Sequence, residues 1–217
     1  MACQAVLFDM DGTVLDTLDD LTNAVNASLR HFSLPPVSRE TVRQSLGNGA
    51  KYLIEHCVPE GVSEEDRDRI LTWYKPWYDA HCRIETRPYP GILPMMERLK
   101  AKGLRLAIIS NKPDPAVQEL AAAFFPGLLE TAVGERASVR RKPSPDAVLT
   151  AAAEMGVSVS DCVYVGDSEV DIQTARNAGM DCLSVCWGFR DPDQLAEAGA
   201  AHPVYTPEEL EERILNL

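Results

Sequence analysis

Over most of its length, the chain alternates short apolar runs with segments of helical length. Apolar runs of four to six residues are typical of strands buried on both faces of a parallel sheet. The predicted strands are 5–8, 104–109, 129–133, 162–165 and 182–187, with a weaker candidate at 203–205. The predicted helices between and after them are 92–102, 115–125, 145–155, 171–178 and 207–215. This alternation predicts an α/β fold, a Rossmann-like parallel sheet wrapped by helices.

One long stretch breaks the alternation. Residues 15–86 show helical periodicity but no convincing strand, and the proline-rich segment "RPYPG" at 87–91 marks a stiff return to the sheet. Pro76 is expected to kink or end the helix that carries it, because proline has no backbone N–H to donate. The sequence therefore predicts two domains, a core formed by 1–14 and 87–217 and an all-helical cap, 15–86, inserted after the first strand.

Net charge and composition limit which binding partners and which cellular compartment are expected for this chain. The 217 residues carry a formal net charge of -12, which argues against binding to nucleic acid or to an anionic membrane. No apolar run is long enough for a membrane span, and the N-terminus lacks the basic and apolar blocks of a secretion signal. The six cysteines show no CxxC spacing, so reduced thiols in a cytoplasmic protein are expected. Monomer and homodimer both remain open.

Polar side chains follow several predicted strands, at the end where ligands bind in open parallel sheets. They are Asp9 and Asp11 after the first strand, Ser110, Asn111 and Lys112 after the second, and Asp167 and Asp171 after the fourth. Lys142 precedes the helix that leads into the fourth strand, so its side chain could reach the same end. Because the carboxyl ends of parallel strands meet at one edge of the sheet, we expect these side chains to converge on one rim.

The stretch "AVLFDMDGTVLD" at 5–16 ends a buried strand in two carboxylates that repel each other. A hard divalent cation with oxygen ligands relieves this repulsion. Asp9 and Asp167 can each give one oxygen to Mg²⁺, which also binds phosphate. A carboxylate beside both groups can attack phosphorus, and a second, Asp11, can protonate the leaving group and then activate water. The pattern predicts magnesium-dependent phosphoryl transfer through an aspartyl phosphate.

Four short motifs resemble those of the haloacid dehalogenase superfamily of phosphatases. They are "DMDGT" at 9–13, "SNK" at 110–112, "KPSP" at 142–145 and "GDSEVD" at 166–171. The resemblance implies that Asp9 is the nucleophile, Asp11 the general acid and base, and Lys142 the cation that offsets charge around the phosphoryl group. The implied substrate-binding residues of the core are Thr13, Ser110 and Asn111. The implied magnesium site contains Asp9, Asp11 through its backbone carbonyl, Asp167 and Asp171.

The helical insert is similar to the cap of phosphoglycolate phosphatases. The stretches "LGNGAKYL" at 46–53 and "TRPYPGI" at 86–92 resemble stretches of that subfamily, as does "WGFR" at 187–190 after the fifth predicted strand. The resemblance implies hydrolysis of 2-phosphoglycolate or a similar small phosphorylated acid. Backbone N–H groups at a helix start are suited to bind a small carboxylate, and the implied residues are Gly47, Asn48 and Gly49.

Other functions share parts of this pattern. Related caps serve pyrophosphatases, nucleotidases and sugar phosphatases, and a phosphosugar mutase would share both aspartates and a helical cap. A signalling receiver domain also gathers aspartates, a hydroxyl and a lysine around Mg²⁺. Its acidic pair and its phosphorylated aspartate lie on different strands, whereas "DMDGT" is compact and is followed by a long insert. That difference disfavours the receiver.

Overall fold

The structure, a computed structural model, describes residues 3–217. It divides into two compact units, one of residues 3–16 and 88–217 and the other of residues 17–87. The first two residues of the predicted core segment lie outside the described residues. Within residues 3–217, no helix combines the length and apolarity needed to cross a membrane.

The first unit is built on a parallel sheet. The strands of the described chain are β1 Ala5–Phe8, β2 Leu15–Asp16, β3 Arg87–Pro88, β4 Arg105–Pro113, β5 Thr131–Glu135, β6 Cys162–Gly166, β7 Asp181–Val185 and β8 Pro203–Val204. Six of them form one parallel sheet in the order β5-β4-β1-β6-β7-β8. All four residues of β1 are fully buried, as an uninterrupted apolar run predicts for a central strand. The sheet confirms the predicted fold class.

Helices connect the strands of this sheet. The α-helices of the described chain are α1 Leu18–His31, α2 Arg39–Gln44, α3 Gly49–Cys57, α4 Glu64–His81, α5 Ile92–Ala101, α6 Asp114–Phe124, α7 Asp146–Met155, α8 Glu169–Ala178, α9 Pro192–Glu197 and α10 Pro207–Leu215. The short α9 is absent from the sequence prediction. It starts with reciprocal capping between Asp191 and Gln194. This capping pair is a sequence signal for a helix start, but a helix of six residues is too short to show a clear periodic pattern.

The register of the sheet sets the position of the polar rim. Phe8 at the end of β1 lies opposite Ile108 in β4 and Val165 in β6. The residues that follow in all three strands therefore lie at one edge. The predicted strand 104–109 is too short, because β4 continues past an irregularity after Ile109 to Pro113, which pairs with Glu135 of β5. Ser110, Asn111 and Lys112 consequently belong to the strand itself.

Residues 17–87 form the helical unit, which contains α1 to α4. The buried carboxylate of Asp20 in α1 accepts hydrogen bonds from the backbone N–H groups of Glu85 and Thr86 and from the Thr86 hydroxyl. This ties the end of the unit to its first helix. The expectation that Pro76 could end its helix is wrong, since α4 runs through it to His81. Pro76 lies on the exposed side, where water can satisfy the carbonyl that lacks an N–H partner.

Candidate active site

Lys142 lies within a buried group of carboxylates at the rim of the sheet. Its Nζ is 2.8 Å from Asp9 Oδ1, 2.7 Å from Asp171 Oδ1 and 3.2 Å from the Tyr164 hydroxyl. The Lys142 side chain is only 3% exposed, so these groups rather than water surround the ammonium. The structure thus brings together three predicted site residues that lie far apart in sequence.

Asp171 is held by hydrogen bonds to both carboxylate oxygens. Oδ1 accepts from Lys142 and from the Tyr164 hydroxyl, and Oδ2 accepts from the Ser168 backbone N–H and hydroxyl. Ser168 and Asp171 form the capping box that starts α8. Because the helix start fixes this carboxylate, Asp171 is placed to orient the Lys142 ammonium.

Asp167 is held between two separate stretches of chain. Its Oδ1 accepts a hydrogen bond from the Thr13 hydroxyl at 3.0 Å, and its Oδ2 accepts one from the Phe189 backbone N–H at 2.7 Å. Gly12 allows this approach, since a Cβ there would lie less than 3.0 Å from the Asp167 carboxylate and the backbone has a φ of +86°. Each oxygen keeps a second lone pair for a cation. The hydroxyl of Thr13, which the sequence predicts to bind substrate, donates its hydrogen bond to Asp167 in this structure.

Asp11 lies beside a second lysine. Lys112 Nζ is 3.1 Å from Asp11 Oδ1, and the two side chains are 4% and 20% exposed, respectively. The carboxylate predicted to transfer protons is thus the more accessible partner of the pair.

Asn111 contacts the backbone of Lys142. Its Nδ2 donates a hydrogen bond to the Lys142 carbonyl at 3.0 Å, and the Lys142 N–H donates to Asn111 Oδ1 at 2.7 Å. This paired contact fixes the loop that carries Lys142. The sequence predicts that Asn111 binds substrate, and the structure shows that its amide also positions the loop of Lys142. The buried Ser110 hydroxyl accepts a hydrogen bond from the Lys112 N–H.

Burial and mutual repulsion shift the ionisation of the cluster. Burial, followed by the charge of Asp171, raises the pKa of Asp9 well above its ordinary value, although Lys142 acts in the opposite direction. Burial and the charge of Asp171 also raise the pKa of Asp167 to about 7. Burial by itself lowers the pKa of Lys142, but Asp171 and Asp9 reverse this, so its net pKa lies well above the ordinary value. Lys142 therefore keeps its charge while Asp9 and Asp167 resist ionisation.

The same cluster fits a divalent cation. Carboxylate oxygens of Asp9, Asp167 and Asp171 all lie within 4.8 Å of one another, and all three residues are buried. Three ionised carboxylates and the single ammonium of Lys142 would sum to a charge of -2. Oxygen ligands and an excess of negative charge are the donor set that Mg²⁺ and Ca²⁺ prefer.

The predicted carboxylate-binding stretch lies in the helical unit. Asn48 is the N-cap of α3, which begins at Gly49. Gly47 and Gly49 have φ values of 101° and 82°, conformations that residues with a Cβ rarely adopt. Locally, this stretch is therefore a glycine-shaped helix start, as the sequence suggested.

The model of the haloacid dehalogenase-like hydrolase family matches residues 6–185. This range runs from β1 to the end of β7 and includes all four motifs. The chain belongs to this hydrolase family.

Individual relatives of this haloacid dehalogenase-like hydrolase are phosphatases. Phosphoglycolate phosphatase 1 of Pseudomonas aeruginosa is 34% identical over 199 residues, 88% of this chain and 72% of that protein. N-acetylmuramic acid 6-phosphate phosphatase of the same species is 32% identical over 215 residues, 97% of this chain and 94% of that protein. A crystal structure from Lactobacillus delbrueckii subsp. bulgaricus, provisionally assigned as a phosphoglycolate phosphatase, has a TM-score of 0.95 and 40% identity with complete coverage of both chains. The similarities identify a phosphatase and confirm the predicted resemblance.

Two residues of the candidate site have no role in the sequence-based prediction. Tyr164 contacts both Lys142 and Asp171, and its signal is a hydroxyl side chain within the otherwise apolar strand "CVYVG". Lys112 is a predicted polar residue of the rim, but its pairing with Asp11 depends on the continuation of β4. Neither contact follows from sequence spacing alone.

Proposed function

We propose that the chain is a magnesium-dependent phosphomonoester hydrolase that works through an aspartyl phosphate on Asp9. The observation that supports this most strongly is the junction of Asp9, Asp167, Asp171 and Lys142 at one rim of a parallel sheet. Such a cluster can hold a cation and a phosphoryl group beside a buried carboxylate. The preferred substrate is 2-phosphoglycolate or a similar small phosphorylated acid.

In the first step, a carboxylate oxygen of Asp9 attacks phosphorus and the ester P–O bond breaks. Asp11 gives its proton to the departing alkoxide. In the second step, Asp11 accepts a proton from water as the water oxygen bonds to phosphorus, and the bond between phosphorus and Asp9 breaks. Inorganic phosphate leaves and both aspartates return to their starting states.

Other residues stabilise the charge that moves during these steps. The Ser110 hydroxyl is proposed to donate a hydrogen bond to the phosphoryl group, and Lys142 offsets its negative charge. Asp9, Asp167 and the backbone carbonyl of Asp11 are proposed to hold the cation. Asp171 borders this site, and its four hydrogen bonds suit it to positioning Lys142. When bound, a divalent cation would neutralise part of the charge on the carboxylates and the phosphoryl oxygens.

The substrate assignment rests on the relatives and on the sequence stretches that resemble phosphoglycolate phosphatases. A second candidate is N-acetylmuramic acid 6-phosphate, because the phosphatase named for it matches this chain over 97% of its length. Both compounds combine a phosphomonoester with a carboxylate, so a site for one shares chemical requirements with a site for the other.

A phosphate-release screen tests the proposed function. We expect the highest kcat/KM with 2-phosphoglycolate, and lower values with N-acetylmuramic acid 6-phosphate, a hexose phosphate, a nucleoside monophosphate and pyrophosphate. A different preferred substrate would overturn the assignment to small acids but leave the phosphatase chemistry intact. Conversion of a phosphosugar without phosphate release would indicate a mutase instead.

Carboxylate recognition is proposed to depend on the backbone N–H groups around Gly47, Asn48 and Gly49. We expect Gly49→Ala to lower kcat/KM for 2-phosphoglycolate about 10-fold or more, as for a lost hydrogen bond to a charged group. Ethyl phosphate, which lacks the carboxylate, should be affected far less. The control is Gly61→Ala in the same unit, where φ is also positive and a Cβ would meet open space. Equal losses for both substrates would contradict the assignment.

Magnesium binding should depend on pH. In the metal-free folded protein the pKa of Asp167 is raised to about 7, whereas in the unfolded chain it is about 3.9. The folded state therefore holds the extra proton between these values, and the metal-free protein loses stability as pH rises from about 4 to about 7. A cation needs the ionised carboxylate, so its stabilising effect should grow over the same interval.

Thermal unfolding in chelator and in excess Mg²⁺ measures this linkage. We expect a small rise in Tm from Mg²⁺ near pH 5.5 and a clearly larger rise near pH 8. Asp167→Asn should weaken the response at the higher pH. An equal Mg²⁺ effect at both pH values would contradict the linkage, and full phosphatase activity in excess chelator would eliminate the magnesium mechanism.

A further inference from the structure

We infer that the segment Trp187 to Arg190, which follows β7, is a positioning element that fixes Asp167 for the cation. The inference rests on the proposed function, because it assigns these residues a part in the proposed magnesium site. None of the four motifs includes this segment, and the steps proposed above use none of its side chains.

Hydrogen bonds connect this segment to Asp167 by two routes. The Trp187 indole N–H donates to the Thr13 carbonyl at 3.0 Å, and the Thr13 hydroxyl donates to Asp167 Oδ1 at 3.0 Å. The backbone N–H of Phe189 donates directly to Asp167 Oδ2 at 2.7 Å. The three hydrogen bonds close a ring through Trp187, Thr13, Asp167 and Phe189. This ring holds both Asp167 carboxylate oxygens and connects them to the loop that follows Asp9.

Gly188 completes the enclosure of Asp167. A Cβ on Gly188 would lie less than 3.0 Å from the Asp167 side chain and from the Gly12 carbonyl, and a Cβ on Gly12 would meet the same carboxylate. The Asp167 carboxylate is therefore confined between two glycines, one from "DMDGT" and one from "WGFR". Unlike Gly12, Gly188 does not have a positive φ, so what disfavours a side chain here is the close approach of Asp167 and of the Gly12 carbonyl.

Arg190 anchors the end of the segment. Its guanidinium makes a paired contact with Glu169 of α8, with Nε 2.8 Å from Oε2 and Nη2 3.0 Å from Oε1. Glu169 is only two residues beyond Asp167 in sequence. The segment is consequently fixed on both sides of the carboxylate that it contacts, at Thr13 and at Glu169.

Such outer contacts set the affinity of a metal site, because they hold a ligand in its binding orientation before the cation arrives. If the segment acts in this way, loosening it should weaken Mg²⁺ binding without unfolding the protein. The loss should be overcome by a higher Mg²⁺ concentration, since Asp9 and Asp167 themselves remain unchanged.

The test compares Trp187→Phe and Gly188→Ala with the wild-type protein. The first variant removes the indole N–H and keeps an aromatic ring. The second places a methyl group against both Asp167 and the Gly12 carbonyl, so that the enclosure of Asp167 must change. Titration calorimetry with Mg²⁺ alone should show dissociation constants raised about 10-fold to 100-fold. Tm in chelator should stay close to that of the wild type for Trp187→Phe, and its activity should recover at high Mg²⁺. The control is Trp73→Phe in α4, which should leave the dissociation constant unchanged.

Two results would overturn the inference. If Trp187→Phe and Gly188→Ala bind Mg²⁺ as the wild type does, the segment is only a structural connection, even where Tm in chelator falls, and the proposed phosphatase mechanism is unaffected. If the wild-type protein itself does not bind Mg²⁺ in the calorimeter, the proposed cofactor fails, and this inference fails with it.

Discussion

Asp9→Asn is expected to lower phosphate release by at least about 10⁴-fold, because an amide nitrogen or oxygen does not replace a carboxylate as nucleophile. The variant should remain folded. Burial, followed by the charge of Asp171, opposes the ionisation of Asp9 more than Lys142 favours it, so removing the charge of Asp9 relieves an unfavourable interaction in the folded state. Stability in chelator near pH 8 should therefore be equal to or greater than that of the wild type.

Acid quenching during turnover measures the step directly. Wild-type protein should carry a phosphoryl group that hydroxylamine removes, as expected for an acyl phosphate, and Asp9→Asn should carry none. Because an asparagine introduced at this position can revert to aspartate by deamidation, Asp9→Ala is the second variant. Phosphate release near the wild-type rate by Asp9→Ala would refute the nucleophile assignment.

Lys142→Met is expected to damage both activity and stability. Removing the ammonium leaves Asp9 and Asp171 without the partner that lies 2.8 Å and 2.7 Å away. Breaking a buried ion pair from one side typically costs about 3–5 kcal/mol, and losing one preorganised charge costs about 10²–10³-fold in kcat. The stability loss should be largest at high pH and should shrink as the pH falls and Asp9 takes up a proton, because burial, followed by the charge of Asp171, raises the pKa of that carboxyl well above its ordinary value.

Chemical denaturation of the metal-free protein at several pH values checks this effect. Lys100→Met is the matched control, because Lys100 pairs with Glu130 at 3.3 Å at the surface, with side chains 37% and 46% exposed. Surface pairs of this kind are worth about 0–1 kcal/mol. A loss for Lys142→Met no larger than for the control would show that Lys142 does not neutralise the cluster.

The fold was largely predictable because its signals are local. A strand buried on both faces must be apolar throughout, so β1 and β6 stand out as "AVLF" and "CVYVG". The extension of β4 was not predictable, because Ser110 to Lys112 are polar and lie in the strand only through pairing with β5. The short α9 is marked only by its capping pair. The passage of α4 through Pro76 depends on the solvent exposure of that residue.

The residue types of the candidate site were also visible in the sequence, but their partners were not. Asp9, Lys142, Asp167 and Asp171 were grouped correctly at one rim. Three contacts had no local signal in the sequence. They are the contact of Thr13 with Asp167, that of Asn111 with the Lys142 backbone and that of Tyr164 with the Asp171 carboxylate. These contacts separate groups that could touch substrate from groups that position others.

By itself, the sequence determined the parallel sheet, the helical insert and the presence of aspartates at the ends of the strands. Each of these features depends only on side-chain type and on residues close together in sequence. Only the tertiary structure decided which charges pair. Asp9, Lys142 and Asp167 come from stretches more than 20 residues apart, and the sheet register and the start of α8 set the distances between them. Coulomb energies and hydrogen bonds change steeply over an ångström or two, so these distances decide whether a carboxylate binds a cation, holds a lysine or attacks phosphorus.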